Sequence, residues 1–270
     1  MKYKLLIVDI DGTLVGRNGA ISAESREAVA EASCSGIRVS LSTGRVSRAC
    51  LGIIRELSLD GYHIFFDGAL VSDPDQGDEV YAHPLSKEMV KQAVEFARLN
   101  DIYLELFSST EYFIERETQA TRIHSKLMGI EPTLADFIKL WNRETILKAN
   151  LVTYSAEEAA KAEKLRRQFQ GRLRFSVARS PAFPGIEFIN VVDPEVSKGE
   201  ALIALALHVG VSLSEVVAVG DGTNDISLLS TAGLAIAMEN APDEVKAVAD
   251  YVTLDVDHGG LAAAIKRFLV

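Results

Sequence analysis

Short apolar runs alternate with amphipathic segments over most of the chain, and this alternation constrains the fold more than any other feature. Residues 5–10, 37–41 and 63–66 read as strands near the beginning, and residues 216–219 and 234–237 as strands near the end. Helical patterns separate them, with Ser22 as a predicted N-cap and Gly36 just past the end of the same helix. Strands that alternate with helices predict a parallel sheet with crossover helices.

The middle of the chain follows a different pattern. Residues 102–107 and 111–114 resemble a hairpin, and further strands and helices follow, including a predicted helix over residues 134–140. We therefore predict an α/β fold, a doubly wound parallel-sheet core of residues 1–81 and 189–270. An α+β domain, residues 82–188, is predicted to be inserted into this core.

Composition excludes several classes of partner. The formal net charge is −10, from 28 basic and 38 acidic side chains, and such a field repels nucleic acid and anionic lipid. Cys34 and Cys50 are too few for a disulfide framework, and no Cys/His cluster for zinc is visible. No apolar stretch reaches membrane-spanning length. A cytoplasmic protein that binds a small molecule is expected, and no oligomeric state is predicted.

The first candidate site follows the first predicted strand, in the sequence Asp9-Ile10-Asp11-Gly12-Thr13. Residues two apart on an extended backbone face the same side, so the two carboxylates converge. A divalent cation would offset their repulsion and would bind phosphate oxygens. An Asp-Gly turn after a strand is the structural alternative, but the second aspartate argues against it.

Three more segments place polar residues at predicted strand ends or helix starts. Ser42-Thr43-Gly44-Arg45 follows the second strand, and its hydroxyl suits either a phosphate oxygen or a helix cap. Lys198 stands in a first helical turn, where the helix dipole disfavours a cation unless anions hold it. Asp221, Asn224 and Asp225 lie in an acidic loop before another helix. Each segment alone has a structural explanation, but together they supply a nucleophile, an acid/base, a cation and metal ligands.

With these residues in view, the chain resembles the haloacid dehalogenase (HAD) superfamily of phosphohydrolases, most closely its Cof-type branch with a type IIB cap. The resemblance rests on Asp9-Ile-Asp11-Gly-Thr and Gly220-Asp221-Gly-Thr-Asn224-Asp225, and on the tail segments at residues 237–241 and 249–253. It implies a Rossmann-like core and an inserted cap that selects the substrate. It also implies a Mg²⁺-dependent phosphatase acting on small-molecule esters such as a sugar phosphate or phosphoglycolate.

The resemblance implies a role for each matching residue. Asp9 would attack phosphorus, and Asp11 would protonate the leaving oxygen and then activate water. Thr43, Gly44, Arg45, Lys198 and Asn224 would contact phosphate or substrate. Mg²⁺ would be held by Asp9, the Asp11 carbonyl and Asp221, with Asp225 behind them. Candidates for substrate contact in the cap are Arg122, His124, Lys126, Arg179, Phe183 and Glu187, although packing or solvation explains each of them singly.

Two positions depart from the family pattern. Asp67 in Asp67-Gly68-Ala69 replaces the asparagine usual in the branch, and Glu239 stands where glycine is common. An extra carboxylate near the site is expected to alter phosphate affinity, substrate choice or pH dependence.

Two other functions compete with hydrolysis. A phosphomutase of the same superfamily would return the phosphoryl group to its substrate, and a non-catalytic protein would only bind a phosphometabolite. The presence of Asp9, Asp11, Lys198 and Asp221 together argues against the non-catalytic alternative.

Overall fold

The structure, a computed structural model, describes residues 2–179 and 183–270. It divides into two compact units. The first comprises Met1–Val46, Cys50–Ala82 and Ser197–Val270, and the second comprises Ser47–Ala49 and His83–Val196. Within the described part of the chain, no helix combines the length and apolarity needed to cross a membrane.

Secondary structure follows the chain in three stretches. Up to Ala82 the elements are β1 (Leu5–Asp9), α1 (Ala23–Cys34), β2 (Arg38–Ser42), α2 (Ser47–Glu56), β3 (His63–Phe65), β4 (Leu70–Asp73) and β5 (Asp78–Ala82). The next stretch forms α3 (Lys87–Leu99), β6 (Glu105–Phe107), β7 (Tyr112–Ile114), α4 (Gln119–Met128), β8 (Thr133–Leu134), α5 (Phe137–Leu140), β9 (Lys148–Thr153), α6 (Ala156–Gln168), β10 (Arg174–Arg179) and β11 (Glu187–Val192). The last forms α7 (Lys198–Val209), β12 (Val216–Gly220), α8 (Ile226–Thr231), β13 (Leu234–Ala237), α9 (Asp243–Lys246), β14 (Tyr251–Val252) and α10 (Gly260–Phe268).

The first unit is built on an eight-stranded sheet in the order β14-β13-β12-β1-β2-β3-β4-β5. The strands from β14 to β3 are parallel, and β1 is buried along its whole length between β2 and β12. Strand β2, which follows β1 in the chain, lies on one side of β1, and strand β12, from the last part of the chain, lies on the other. The strand order therefore reverses direction at β1. In open α/β sheets, this point of reversal is where ligands bind, beyond the carboxyl ends of the strands.

The predicted fold class is confirmed, with one addition at the sheet edge. Strands β4 and β5 form an antiparallel hairpin after β3 that the sequence pattern did not reveal. The reason is visible in β5, which begins with Asp78 and Glu79 and is largely exposed, so it lacks an apolar signal. By contrast, the predicted start of α1 is confirmed, since the Ser22 hydroxyl accepts the Ser25 N–H at 3.1 Å.

The second unit contains a six-stranded sheet in the order β10-β11-β9-β6-β7-β8. Because β11 pairs with both β9 and β10, it belongs to this sheet. The sequence-based boundary after residue 188 therefore falls inside a strand, and the structure moves it to Ser197. The helix predicted over residues 134–140 is shorter, because Leu134 pairs with β7 and Asp136 caps the turn at Phe137.

A buried polar cluster lies within this second unit. Glu105 is completely buried, and it accepts hydrogen bonds from the Tyr112 hydroxyl at 2.6 Å and the Asn150 amide at 3.0 Å. The Nδ1 atom of His124 contacts the same carboxylate. His124, a sequence candidate for substrate contact, thus has a packing role in this cluster, while the side chain of Arg179 lies outside the described residues.

His63 occupies an unusual position in the core sheet of the first unit. Its side chain is fully buried, and Nδ1 accepts the Leu41 N–H at 3.2 Å. Nε2 meets no hydrogen-bond partner among the described residues. Burial lowers the pKa of His63 to about 4, although Asp73 and Asp60 oppose the shift. The imidazole is therefore neutral in the folded protein at neutral pH.

The pKa of His63 predicts a loss of stability in mild acid. Between pH 6.5, the ordinary histidine pKa, and pH 4, the unfolded chain binds a proton that the folded chain does not, so acid favours unfolding. The shift corresponds to about 3 kcal/mol of unfolding free energy, lost as the pH falls through this window. Urea denaturation of the His63→Gln variant, which keeps an acceptor for Leu41, should show a correspondingly flatter pH dependence.

The exposed His208, whose ring contacts Tyr62, provides a matched control, because His208→Gln should keep the wild-type pH dependence. An NMR titration of the histidine ring protons measures the pKa of His63 directly. A value above 6 would contradict the prediction.

Candidate active site

The carboxyl ends of three neighbouring strands bring the candidate residues together. Asp9 ends β1, Ser42 ends β2 and Gly220 ends β12, and these strands are adjacent in the sheet. Parallel strands present their carboxyl ends at one edge, so the loops after them share one location. All of the core residues named from the sequence as site candidates lie in the first unit.

Lys198 is the centre of the site. Its side chain is completely buried, and Nζ donates to Asp9 at 2.6 Å, to Asp225 at 2.5 Å and to the Ser42 carbonyl at 3.1 Å. The ammonium therefore has two carboxylate partners, which offset its unfavourable place in the first turn of α7. Burial lowers the pKa of Lys198, but Asp225, Asp9 and Asp67 raise it, and the net direction is upward.

Asp225 uses both of its oxygens within the protein. Oδ1 accepts from Lys198, and Oδ2 accepts the backbone N–H groups of Asp221 at 3.0 Å and Gly222 at 2.9 Å. The carboxylate is fully buried. Its contacts position the lysine and the loop that carries Asp221, which is a supporting role of the kind that orients metal ligands.

Asp221 is held by residues from two other loops. Its Oδ1 accepts from the Thr13 hydroxyl at 3.1 Å, and Oδ2 accepts from the Asn240 amide at 3.0 Å. Gly12 lies directly against this carboxylate, because a Cβ atom there would fall 2.2 Å from Oδ2, and its φ is +91°. Only glycine suits both the backbone angle and the space.

The loop after β2, residues 43–46, is called the hydroxyl loop because it begins with Thr43. It is built differently from a helix cap. The Thr43 hydroxyl accepts the Arg45 N–H at 3.1 Å, whereas the N-cap of α2 is Val46. The capping alternative for Thr43 is therefore wrong. Arg45 donates to Asp11 through two nitrogens, at 2.9 and 2.5 Å, and forms a bidentate ion pair with it.

Asn224 is exposed, but its side chain is tied to another loop of the first unit. Its amide donates to Asp67 at 2.8 Å, so two residues from distant parts of the sequence form one contact. Asp67 is almost fully buried beside this loop. The replacement seen in the sequence therefore does place an extra carboxylate near the site.

The crowded carboxylates favour a bound cation. Burial, together with Asp225 and Asp221, raises the pKa of Asp9, and Lys198 opposes the shift. Burial and Asp225 also raise the pKa of Asp221, to about 6, against the opposing Thr13 hydrogen bond. A divalent cation would stabilise the ionised form of both groups.

The donor set fits such a cation. Oxygen atoms of Asp9, Asp221 and Asp225 lie within 4.8 Å of one another. Carboxylate oxygens are the ligands that hard divalent cations prefer. Since Asp225 already serves Lys198 and the loop, Asp9 and Asp221 are the direct ligands that this geometry favours. A second group, His83, Asp193 and Glu195, has the same spacing in the second unit but is more exposed.

Sequence reasoning missed the role of Asn240 and the hydrogen bond of Asp67, both of which shape the site. Asn240 bridges the Asp221 carboxylate and the Gly12 carbonyl, the latter at 2.9 Å. The tail segment around it contributed to the family resemblance, but no spacing linked an asparagine so far along the chain to the first strand. The contact of Asp67 with Asn224 was equally invisible, although the exchange of asparagine for aspartate marked the position.

Comparison with known proteins identifies the family. Residues 6–265 match the family model described as haloacid dehalogenase-like hydrolase. The chain therefore belongs to the haloacid dehalogenase-like hydrolases, which confirms the resemblance inferred from the motifs.

Individual relatives match along nearly the whole chain. Phosphatase YwpJ of Bacillus subtilis is 28% identical over 98% of this chain and 100% of its own length. The 5-amino-6-(5-phospho-D-ribitylamino)uracil phosphatase YwtE of the same species is 26% identical and covers 98% of both chains. A crystal structure of a haloacid dehalogenase-like hydrolase from Bacteroides thetaiotaomicron is 28% identical, with a TM-score of 0.83 over 98% of this chain and 99% of its own.

The site geometry predicts that a divalent cation stabilises the folded protein. At a Mg²⁺ concentration of about one hundred times the dissociation constant, the unfolding free energy should rise by about 2.7 kcal/mol. The variant Asp221→Asn should lose most of this gain, because an amide brings no charge to the cation. Thermal denaturation with and without Mg²⁺ measures the difference.

Asp193→Asn in the second acidic group is the matched control and should keep the wild-type response. If Asp193→Asn loses the response and Asp221→Asn keeps it, the cation binds at the second group and the assignment is wrong.

Proposed function

We propose that this phosphoric monoester hydrolase removes phosphate from small esters through an aspartyl-phosphate formed on Asp9, with Mg²⁺ as its cofactor. The observation that carries the proposal is the buried contact of Asp9 with Lys198, at 2.6 Å, at the carboxyl end of β1. A carboxylate that is held at a sheet edge by an ammonium, beside a second carboxylate suited to a metal, is equipped for nucleophilic attack on phosphorus.

In the first step, a carboxylate oxygen of Asp9 forms a bond to phosphorus while the bond from phosphorus to the ester oxygen breaks. Asp11 gives a proton to that oxygen, so the product leaves as an alcohol. Lys198 stabilises negative charge on the transferred group. Asp9 and Asp221 would hold Mg²⁺, which would supply Lewis-acid stabilisation of the developing negative charge.

In the second step, water attacks phosphorus and Asp11 accepts its proton. The bond between Asp9 and phosphorus then breaks, and inorganic phosphate is released with the Asp9 carboxylate restored. Before the first step, Asp11 must leave its ion pair with Arg45 and take up a proton from solvent, because the bidentate guanidinium contact suits a carboxylate and not a carboxylic acid. The approach of an anionic substrate gives Arg45 an alternative partner.

The substrate class that we propose is a small sugar phosphate or a related ester such as phosphoglycolate, hydrolysed in the cytoplasm. Support comes from YwtE, whose name describes a substrate phosphorylated on a ribityl chain. We further propose that the second unit selects the substrate, as caps and lids commonly do.

Replacing the nucleophile should abolish the reaction. Asp9→Asn retains an oxygen that can accept from Lys198, but it cannot attack phosphorus, so phosphate release should fall roughly a thousandfold or more. A panel of sugar phosphates and phosphoglycolate, assayed with Mg²⁺ and with EDTA, provides the measurement. Circular dichroism checks that the variant is folded.

Asp75→Asn, in the exposed turn between β4 and β5, should behave as wild type. Release that persists in folded Asp9→Asn would refute the covalent mechanism. Isomerised sugar phosphate without phosphate release would indicate a mutase.

Replacing the acid/base should trap the intermediate. With p-nitrophenyl phosphate, whose leaving group is stable as an anion, Asp11→Asn should still form the aspartyl-phosphate but should hydrolyse it slowly. Mass spectrometry of rapidly acid-quenched protein should then find a phosphoryl group on the peptide that contains Asp9. The same peptide from Asp9→Asn serves as the control, and an unmodified peptide in both variants would count against the two-step mechanism.

A further inference from the structure

The chain after β3 has a strained backbone. Phe66, Asp67 and Gly68 have φ values of +53°, +56° and +101°, and the first two side chains are buried. A left-handed conformation is unfavourable for a residue other than glycine, and such strain is typically retained at functional sites. The surrounding loops enforce it, since the Asp67 N–H donates to the Thr43 carbonyl at 3.0 Å and the Phe66 N–H to the Arg45 carbonyl at 3.1 Å.

The same turn lies against the start of α7. A Cβ atom on Gly68 would fall 2.2 Å from the Ser197 carbonyl oxygen and 2.7 Å from the Lys198 nitrogen. The turn thus connects the hydroxyl loop with the helix that carries the buried lysine. The hydroxyl loop carries Thr43 and the helix carries Lys198, and both residues are proposed to contact phosphate. A side chain on this turn is therefore positioned to influence phosphate binding.

The side chain of Asp67 is directed toward these neighbours. Only 4% of the residue is exposed, and Oδ1 accepts from the Asn224 amide at 2.8 Å. A Cβ atom on Gly44 would fall 2.8 Å from the same oxygen, so the carboxylate also lies against the hydroxyl loop. Burial lowers the pKa of Lys198, and the negative charge of Asp67 is one of the charges that raise it.

The charges of this cluster do not balance. Asp9, Asp67, Asp221 and Asp225 surround one ammonium, that of Lys198, while Arg45 neutralises Asp11. A bound divalent cation would leave one negative charge over when all four are ionised. With asparagine at position 67, the cluster would be neutral.

We propose that Asp67 is a positioning residue that holds Asn224 in place and whose charge weakens binding of the phosphate dianion, so that released phosphate leaves the site readily. The inference rests on the proposed phosphatase function. Asp67 would control product affinity and not the chemical steps, because it contacts Asn224 and the loop after β2 and does not itself hold the proposed nucleophile, which Lys198 does.

Asp67→Asn tests this role with little structural change. The amide oxygen can still accept from Asn224, and asparagine tolerates the left-handed conformation well. Isothermal titration of the full-length, Mg²⁺-loaded protein with inorganic phosphate should show about tenfold tighter binding in the variant. Competitive inhibition by phosphate should strengthen by the same factor, with a lower KM, and added salt should reduce the difference.

Asp60→Asn is the matched control. Asp60 is exposed and precedes β3, so its loss removes the same charge near the opposite end of the same strand. Phosphate affinity should stay at the wild-type value in this variant. Asp67→Gly, which also suits the backbone, provides a second variant that removes both the charge and the hydrogen bond to Asn224. It should bind phosphate more tightly than the wild type but less tightly than Asp67→Asn, because Asn224 is no longer held in place.

The outcomes separate the two proposals. One outcome would overturn the role of Asp67 alone. In that outcome the wild-type protein hydrolyses esters and binds phosphate, but folded Asp67→Asn and Asp67→Gly bind phosphate with the wild-type affinity. A wild-type protein that neither releases nor binds phosphate with Mg²⁺ would overturn the proposed function, and this inference with it.

Discussion

The buried ammonium of Lys198 is the interaction on which the rest of the site depends. It joins Asp9 at the end of β1 to Asp225 before α8, and it reaches the end of β2 through the Ser42 carbonyl. Removing one partner of such a buried pair costs about 3–5 kcal/mol, because the other charge is left without compensation. The same contact therefore fixes the geometry of Asp9, the proposed nucleophile, and connects three separate parts of the first unit.

The carboxylates around that ammonium have different environments, and these environments decide which of them can bind a cation and which are used within the protein. Asp225 is saturated by protein donors and serves as structure, whereas Asp221 is held by Thr13 and Asn240 where a cation can reach it. Asp11 is the most exposed of the set and pairs with a guanidinium that can find another partner. Similar side chains thus acquire different roles from burial and hydrogen bonding alone.

Much of this arrangement could be predicted from the sequence, because the main motifs follow apolar strands whose carboxyl ends meet. Asp9 and Asp221 illustrate this, since each comes at or just after a fully buried run. The failures have physical causes. Strand β5 is polar and exposed, so it lacks an apolar signal. The sequence of β11 does not indicate whether it pairs in the sheet of the second unit, as it does, or in that of the first. The contacts of Asn240 depend on loop geometry that no local pattern encodes.

Strand β1 pairs with β2 soon after it in the chain, but its other edge is filled by β12, with Leu5 opposite Val216. During synthesis, that central edge therefore stays open while the whole second unit is made, and long-range pairing of this kind is slow. Lys198, Asp221 and Asp225 reach Asp9 only in the last third of translation. A nascent chain thus carries Asp9, the proposed nucleophile, before it carries the lysine and the carboxylates that surround it, so the site is complete only when the sheet is.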